Sequence, residues 1–146
     1  MTRLPCYSLL LVAACLAGYS DAAEVGQIKV SKGNVWVERS GGVLPGLVGV
    51  RLQSEDAINT GSDGSVGITM TDNSLLSLGP NSLVSLDHYT FDVNIDKGDF
   101  AMSIRNGTVS VISGRIAKRS LDAMTVRTPS AVLGVRGTEF CVSVPE

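Results

Sequence analysis

Apolar and polar residues alternate in short bursts along this chain, and breaks rich in Gly, Asn and Asp separate the bursts. Strict alternation places every second side chain on one face of an extended segment, so each burst predicts a half-buried strand. Gln27 to Val30 alternates, and Asn34 to Glu38 puts Val35 and Val37 on one face with Trp36 on the other. After the turn Ser40-Gly41-Gly42 and the break Leu44-Pro45-Gly46, Val48 to Leu52 and Asp56 to Thr60 read as strands. Gly61 to Gly64 is a strong turn before Val66, Ile68 and Met70, which are in phase. Thr71 to Ser74 and Gly79-Pro80-Asn81 bracket Leu76 and Leu78, and Val84 and Leu86 follow.

The second half continues in kind. Tyr89 to Ile95 alternates, Asp96-Lys97-Gly98 turns, and Phe100, Met102 and Ile104 share a face. Asn106-Gly107 carries one of the strongest short-range hairpin signals, ahead of Val109 and Val111. A single helical turn is predicted over Ala117 to Ala123, with Ser120 as its cap. Thr125 to Thr128 is extended, Pro129 suits a strand's start or a sheet edge, and Glu139 to Val144 is the last strand. The prediction is one all-β domain of many short strands, built as a twisted β-solenoid-like stack or a sandwich. Gly33, Gly64 and Gly107 each precede two in-phase strand residues, an echo at unequal spacing that also fits ordinary turn-then-strand grammar.

Composition sharpens this picture in two places. The chain has 146 residues, 44 % hydrophobic but only 5 % aromatic, so its core must rest on Val, Leu, Ile and Ala. Its net charge is −2 with no stripe of Lys or Arg, which argues against nucleic acid as a partner. Residues 1–22 have the order of a signal peptide: Arg3, then the apolar run Leu9 to Leu16, then small Ser20 and Ala22 before the cleavage point. That run is too short to span a membrane as a helix. An alternative is a lipoprotein signal over residues 1–14, because Val12-Ala13-Ala14-Cys15 resembles a lipobox that would leave Cys15 acylated. Either route sends the chain to the periplasm or outside the cell, the second with a lipid anchor in the outer membrane.

Candidate chemistry is sparse. His88 is the lone histidine, and the neighbouring Asp87 should point to the opposite face of a strand, so no triad is expected. Glu55, Asp56, Asp72, Asp87, Asp92, Asp96 and Asp99 sit mostly in turns, where carboxylates stabilise their own backbone. Cys141, flanked by Phe140 and Val142, is expected as a small buried hydrophobe. No phosphate loop, nucleophile elbow or zinc helix is present, so the expectation is a protein that is not an enzyme and needs no cofactor or metal.

The most informative stretch runs Val126-Arg127-Thr128-Pro129-Ser130-Ala131-Val132-Leu133-Gly134-Val135-Arg136-Gly137-Thr138-Glu139-Phe140. It resembles the signature of the FecR family, a Thr-Pro step followed by Gly-(Val/Ile)-Arg-Gly-Thr-x-Phe. Upstream, Asp56-Ala57-Ile58-Asn59-Thr60 is similar to the family's Asp-x-Ile-x-Thr, and Asp72-Asn73-Ser74 through Pro80-Asn81-Ser82 to its Asp-Gly-Ser and Pro-x-Ser stretch. Asn73 stands where Gly is common, a tolerable change because Asn also visits the left-handed region. Ser113 to Lys118 resembles the family as well.

The resemblance implies an extracytoplasmic sensing domain over residues 23–146, with a β-rich, solenoid-like fold. The best-known members are transmembrane regulators that receive a signal from an outer-membrane siderophore receptor and control a cytoplasmic sigma factor. This chain is expected to lack both the cytoplasmic region and the span, and so to be a free-standing domain with an envelope protein as its partner. Within the signature, Thr128, Pro129, Gly134, Arg136, Gly137, Thr138 and Phe140 have two readings. They are a structural lock, with Gly134 and Gly137 allowing a tight bend, Glu139 pairing with Arg136 or Arg127, and Phe140 plugging the core. Otherwise they form a contact surface where Arg136 or Arg127 meets a carboxylate or phosphate. A glycan or cell-wall binding role, with Trp36, Tyr89 and Phe91 as a platform, is the alternative function.

Overall fold

The computed structural model describes residues 24–92, 94, 95, 97–119, 123–135 and 139–145. The proposed signal segment and Cys15 lie outside the described residues, as do Arg136, Gly137, Thr138, Asp96 and Ser120. What is described is almost entirely strand, as the alternation predicts: β1 (Glu24–Lys32), β2 (Val35–Arg39), β3 (Gly42–Pro45), β4 (Arg51–Gln53), β5 (Ala57–Thr60), β6 (Ser65–Met70), β7 (Leu75–Leu78), β8 (Leu83–Asp92), β9 (Lys97–Ile112), β10 (Met124–Arg127), β11 (Val132–Gly134) and β12 (Glu139–Val144). One short helix, α1 (Arg115–Arg119), starts two residues before the predicted turn.

The twelve strands form a single sheet, curled into a half-barrel. Its order is β3-β2-β5-β8-β9-β7-β6-β1-β4, with β10 and β12 added beside β9 and β11 beyond β10. Strand β9 is the spine. Its first half lies between β8 and β10, and its second half between β7 and β12. All pairings are antiparallel except β9 with β10.

This topology overturns the hairpin expected at Asn106-Gly107, because β9 runs straight through both residues. Gly107 has φ +99°, and a Cβ there would lie 2.1 Å from Ser82 Oγ. The glycine is used to let a long strand bend past the β7–β8 corner, not to reverse the chain. The core sits inside the curl and takes the predicted faces: Val35, Val37, Val66, Ile68, Met70, Leu76, Leu78, Val84, Leu86, Phe100, Met102, Ile104, Val109 and Val111 are all buried. The echoed glycines are not a repeat. The turns around Gly33 and Gly64 pack against one another, where Gly61 N–H donates to Asn34 O at 2.9 Å and Asn34 Nδ2 to Asp63 at 3.0 Å.

Candidate functional site

The upstream motifs that carry the family resemblance are each anchored in a buried polar joint. In the first, Asp56 is 1 % exposed and accepts from Arg39 Nε at 2.9 Å, Arg39 Nη2 at 2.7 Å and Gln53 N–H at 2.8 Å. The hydrogen bond to Asp56 raises the Arg39 pKa above its ordinary value, against the opposing effect of burial. In the second, Thr60 Oγ1 donates to Gly79 O at 2.7 Å and accepts from Ser82 N–H at 2.9 Å. Ser82 Oγ in turn accepts from Thr108 N–H beside the bend in β9.

The third joint centres on Asp72, which is 0 % exposed. Its carboxylate accepts from Ser74 N–H at 3.1 Å, Ser74 Oγ at 2.8 Å, Tyr89 Oη at 3.1 Å and Ile116 N–H at 3.2 Å. Its own N–H donates to Tyr89 Oη at 3.0 Å, and Thr71 Oγ1 lies 2.9 Å from the same oxygen. Gly114 N–H donates to Ser74 Oγ, so the turn at residues 71–74 holds the start of α1. Asn73 adopts φ +69°, the left-handed conformation that its place in the family pattern calls for. Burial first, then the charge of Asp72, pushes the Tyr89 hydroxyl above its ordinary pKa.

These joints correct four expectations. Asp56 and Asp72 are buried hubs, not surface turn acids, because each has enough donors to replace its hydration. Tyr89 faces inward, meeting Phe100 edge-on at 5.1 Å, while Trp36 lies on the other side of its strand. The aromatic platform is therefore not assembled. Asp87 and His88 are both exposed, because the register shifts between Ser85 and His88 and breaks the alternation. Asp87 accepts from the Ser103 hydroxyl. Cys141 is exposed, since Phe140, Val142 and Val144 are the β12 residues that turn toward the core.

The C-terminal signature is spread over an open margin of the sheet. Thr128 and Ala131 close a turn through paired backbone bonds, and Thr128 Oγ1 accepts from Ala131 N–H at 3.1 Å. Pro129 lies in this turn between β10 and β11, outside both strands, so it occupies neither a strand's start nor a sheet edge. Gly134 is exposed, and among the described residues nothing lies within 4 Å of where a Cβ would sit. Phe140 packs against the core from its rim and is half-buried. Neither Arg127 nor Glu139 has an ion-pair partner among the described residues.

Along this margin, β12 pairs only with β9 and β11 only with β10 among the described residues. Each therefore presents one unpaired edge. Between them lies a cleft of about 330 Å³, lined by Leu133, Gly134, Val135, Glu139, Phe140, Cys141 and Val142. Val132 and Leu133 are 68 % and 39 % exposed on β11. Sequence reasoning named this stretch but missed the open edges, since alternation tells which way a side chain faces and not which strand lies beside it.

Comparison with known proteins agrees with the motifs. The model of the FecR protein family matches residues 56–146, more than half of the chain. The chain belongs to the FecR family. The match begins at the buried Asp56, so β1 to β4 lie ahead of it. No curated protein and no solved structure matches. Membership marks a FecR-like, signalling-related module, and no described helix is long and apolar enough to cross a membrane.

Proposed function

We propose that this FecR domain is an extracytoplasmic, non-enzymatic sensing and protein-interaction module of the bacterial envelope. It is delivered by the N-terminal segment and either released in soluble form or held to the membrane through Cys15. The observation that carries the interaction role is the edge of β12 that no described strand pairs with, beside the apolar cleft shared with β11. A free edge offers a row of N–H and C=O groups to an incoming strand, and alternate side chains of that strand can enter a flanking pocket. The upstream motif residues Asp56, Thr60, Asp72, Ser74 and Ser82 are, by contrast, consumed in buried joints. They build the scaffold, and the open margin is left to meet the partner.

The glycan-binding alternative loses its platform with the burial of Tyr89. The test is chemical crosslinking in intact cells with a tagged chain, comparing the wild type with the double variant Cys141→Lys, Ser143→Lys. Both positions are exposed, so the fold should survive, while two edge lysines obstruct strand addition. A discrete protein adduct that disappears in the variant supports the reading. Recovery of no protein adduct from the wild type, or an adduct indifferent to the variant, overturns it.

A further inference from the structure

We propose that Arg105 and Arg127 form an oxyanion-binding site on the outer face of the half-barrel, for a ligand carrying a phosphate or carboxylate group. Strands β9 and β10 run parallel with Arg127 directly beside Ser103. Arg105 lies two residues further along β9 and therefore on the same face. Strand spacing and rise put the two arginine Cα atoms about 8 Å apart, within reach of one small anion for two long side chains. They line one cleft of about 380 Å³ with Ser103, Ile104, Thr128 and Pro129. That size suits a small ligand or the end group of a larger one.

Among the described residues neither arginine has an anionic partner, which is what sets this cleft apart. The ion pairs among the described residues are Arg39 with Asp56 and Arg51 with Glu24. Neither Arg105 nor Arg127 donates a hydrogen bond to any described group. Two neighbouring cations repel one another, and an anion between them removes that cost while satisfying both guanidinium forks. The acid Asp87 is held by the Ser103 hydroxyl from the β8 side, opposite Arg127. The cleft wall is fixed by the Thr128–Ala131 turn, so Pro129 is pre-positioned. This site is on the sheet's outer face at β9 and β10, none of its lining residues is on β12, and the proposal does not require strand docking there.

The test is titration of the full chain with inorganic phosphate and, separately, with succinate, read by calorimetry and by amide shifts of residues 103–105 and 127–129. Arg105→Gln, Arg127→Gln and their double variant are compared with Arg51→Gln, on the distant β4 strand. All are surface changes, and a melting curve checks that each variant folds. The expected result is saturable binding, weakened about ten-fold or more by either single change, since each removes charge-assisted bonds, and abolished in the double. Affinity should also fall as sodium chloride is added. Saturation by phosphate alone assigns a phosphoryl group, by succinate alone a carboxylate, and by both the shared oxyanion chemistry. Absence of saturation with both probes, or equal weakening by Arg51→Gln, overturns the proposal.

Discussion

Replacing Tyr89 with Phe removes one oxygen from the centre of the Asp72 joint and leaves the ring against Phe100 undisturbed. The hydroxyl is saturated: it donates to Asp72 Oδ1 and accepts from Asp72 N–H and Thr71 Oγ1. Its loss strands the buried Asp72 N–H, at about 1–3 kcal/mol for an unmet donor, and takes one charge-assisted donor from a carboxylate with no exposure. Relaxation around residue 72 recovers part of this, so the expected loss is about 2–4 kcal/mol. Urea denaturation at neutral pH measures it directly, and an unchanged m-value would show that only stability moved. The same variant carries a pH signature. Burial raises the folded-state pKa of Tyr89 above 10.0, so its contribution to stability is complete below the unfolded value and is lost as pH rises from about 10 toward the folded value. Wild type should lose stability across that alkaline range, and Tyr89→Phe should lose measurably less. A stability change below about 0.5 kcal/mol, or an identical alkaline slope in both proteins, would refute the view of Asp72 and Tyr89 as a buried joint.

Other changes probe the remaining elements. Gly107→Ala must accept φ +99° and a methyl group set into Ser82, so it should cost about 3 kcal/mol or more, read as a lowered denaturation midpoint. A modest loss would mean that β9 does not bend there. Arg39→Met leaves the buried Asp56 carboxylate with only the Gln53 N–H and should destabilise by about 2–4 kcal/mol, at the lower end because Arg39 is 26 % exposed. An effect near zero in chemical denaturation would contradict that joint. In a chain whose other cysteines are replaced, native Cys141 should react with an aromatic disulfide reagent at nearly the rate of the unfolded protein. Protection in the folded state would return it to the core.

How much of this the chain discloses depends on the range over which each signal acts. The faces of β2, β6, β7 and β9 were legible because alternation is local, and Val66, Ile68 and Met70 are buried together as predicted. The all-β class and the family motifs were legible for the same reason. Partnership was not. Asp72 meets Tyr89 across 17 residues and Ile116 across 44, and nothing in either neighbourhood announces the other. Asn106-Gly107 misled because the local signal for left-handed glycine serves a hairpin and a bend equally. Only the Ser82 backbone pressed against Gly107 decides between them. Cys141 misled because its neighbours Phe140 and Val142 share the opposite face of β12, so apolar flanks argue for exposure once the strand is edge-on. In the candidate margin, Thr128, Pro129 and Phe140 were found by motif, while the open edges and the pairing of Arg105 with Arg127 needed three dimensions.

A partner strand can dock only if the outer edge of β12 is free, and amide hydrogen exchange on the purified protein reads that directly. Amides of β12 that point to β9 should be protected, and those between them should exchange at rates near those of open loops, giving alternation along Glu139–Val144. Uninterrupted protection along the strand would contradict it, because the outer edge would then already be covered.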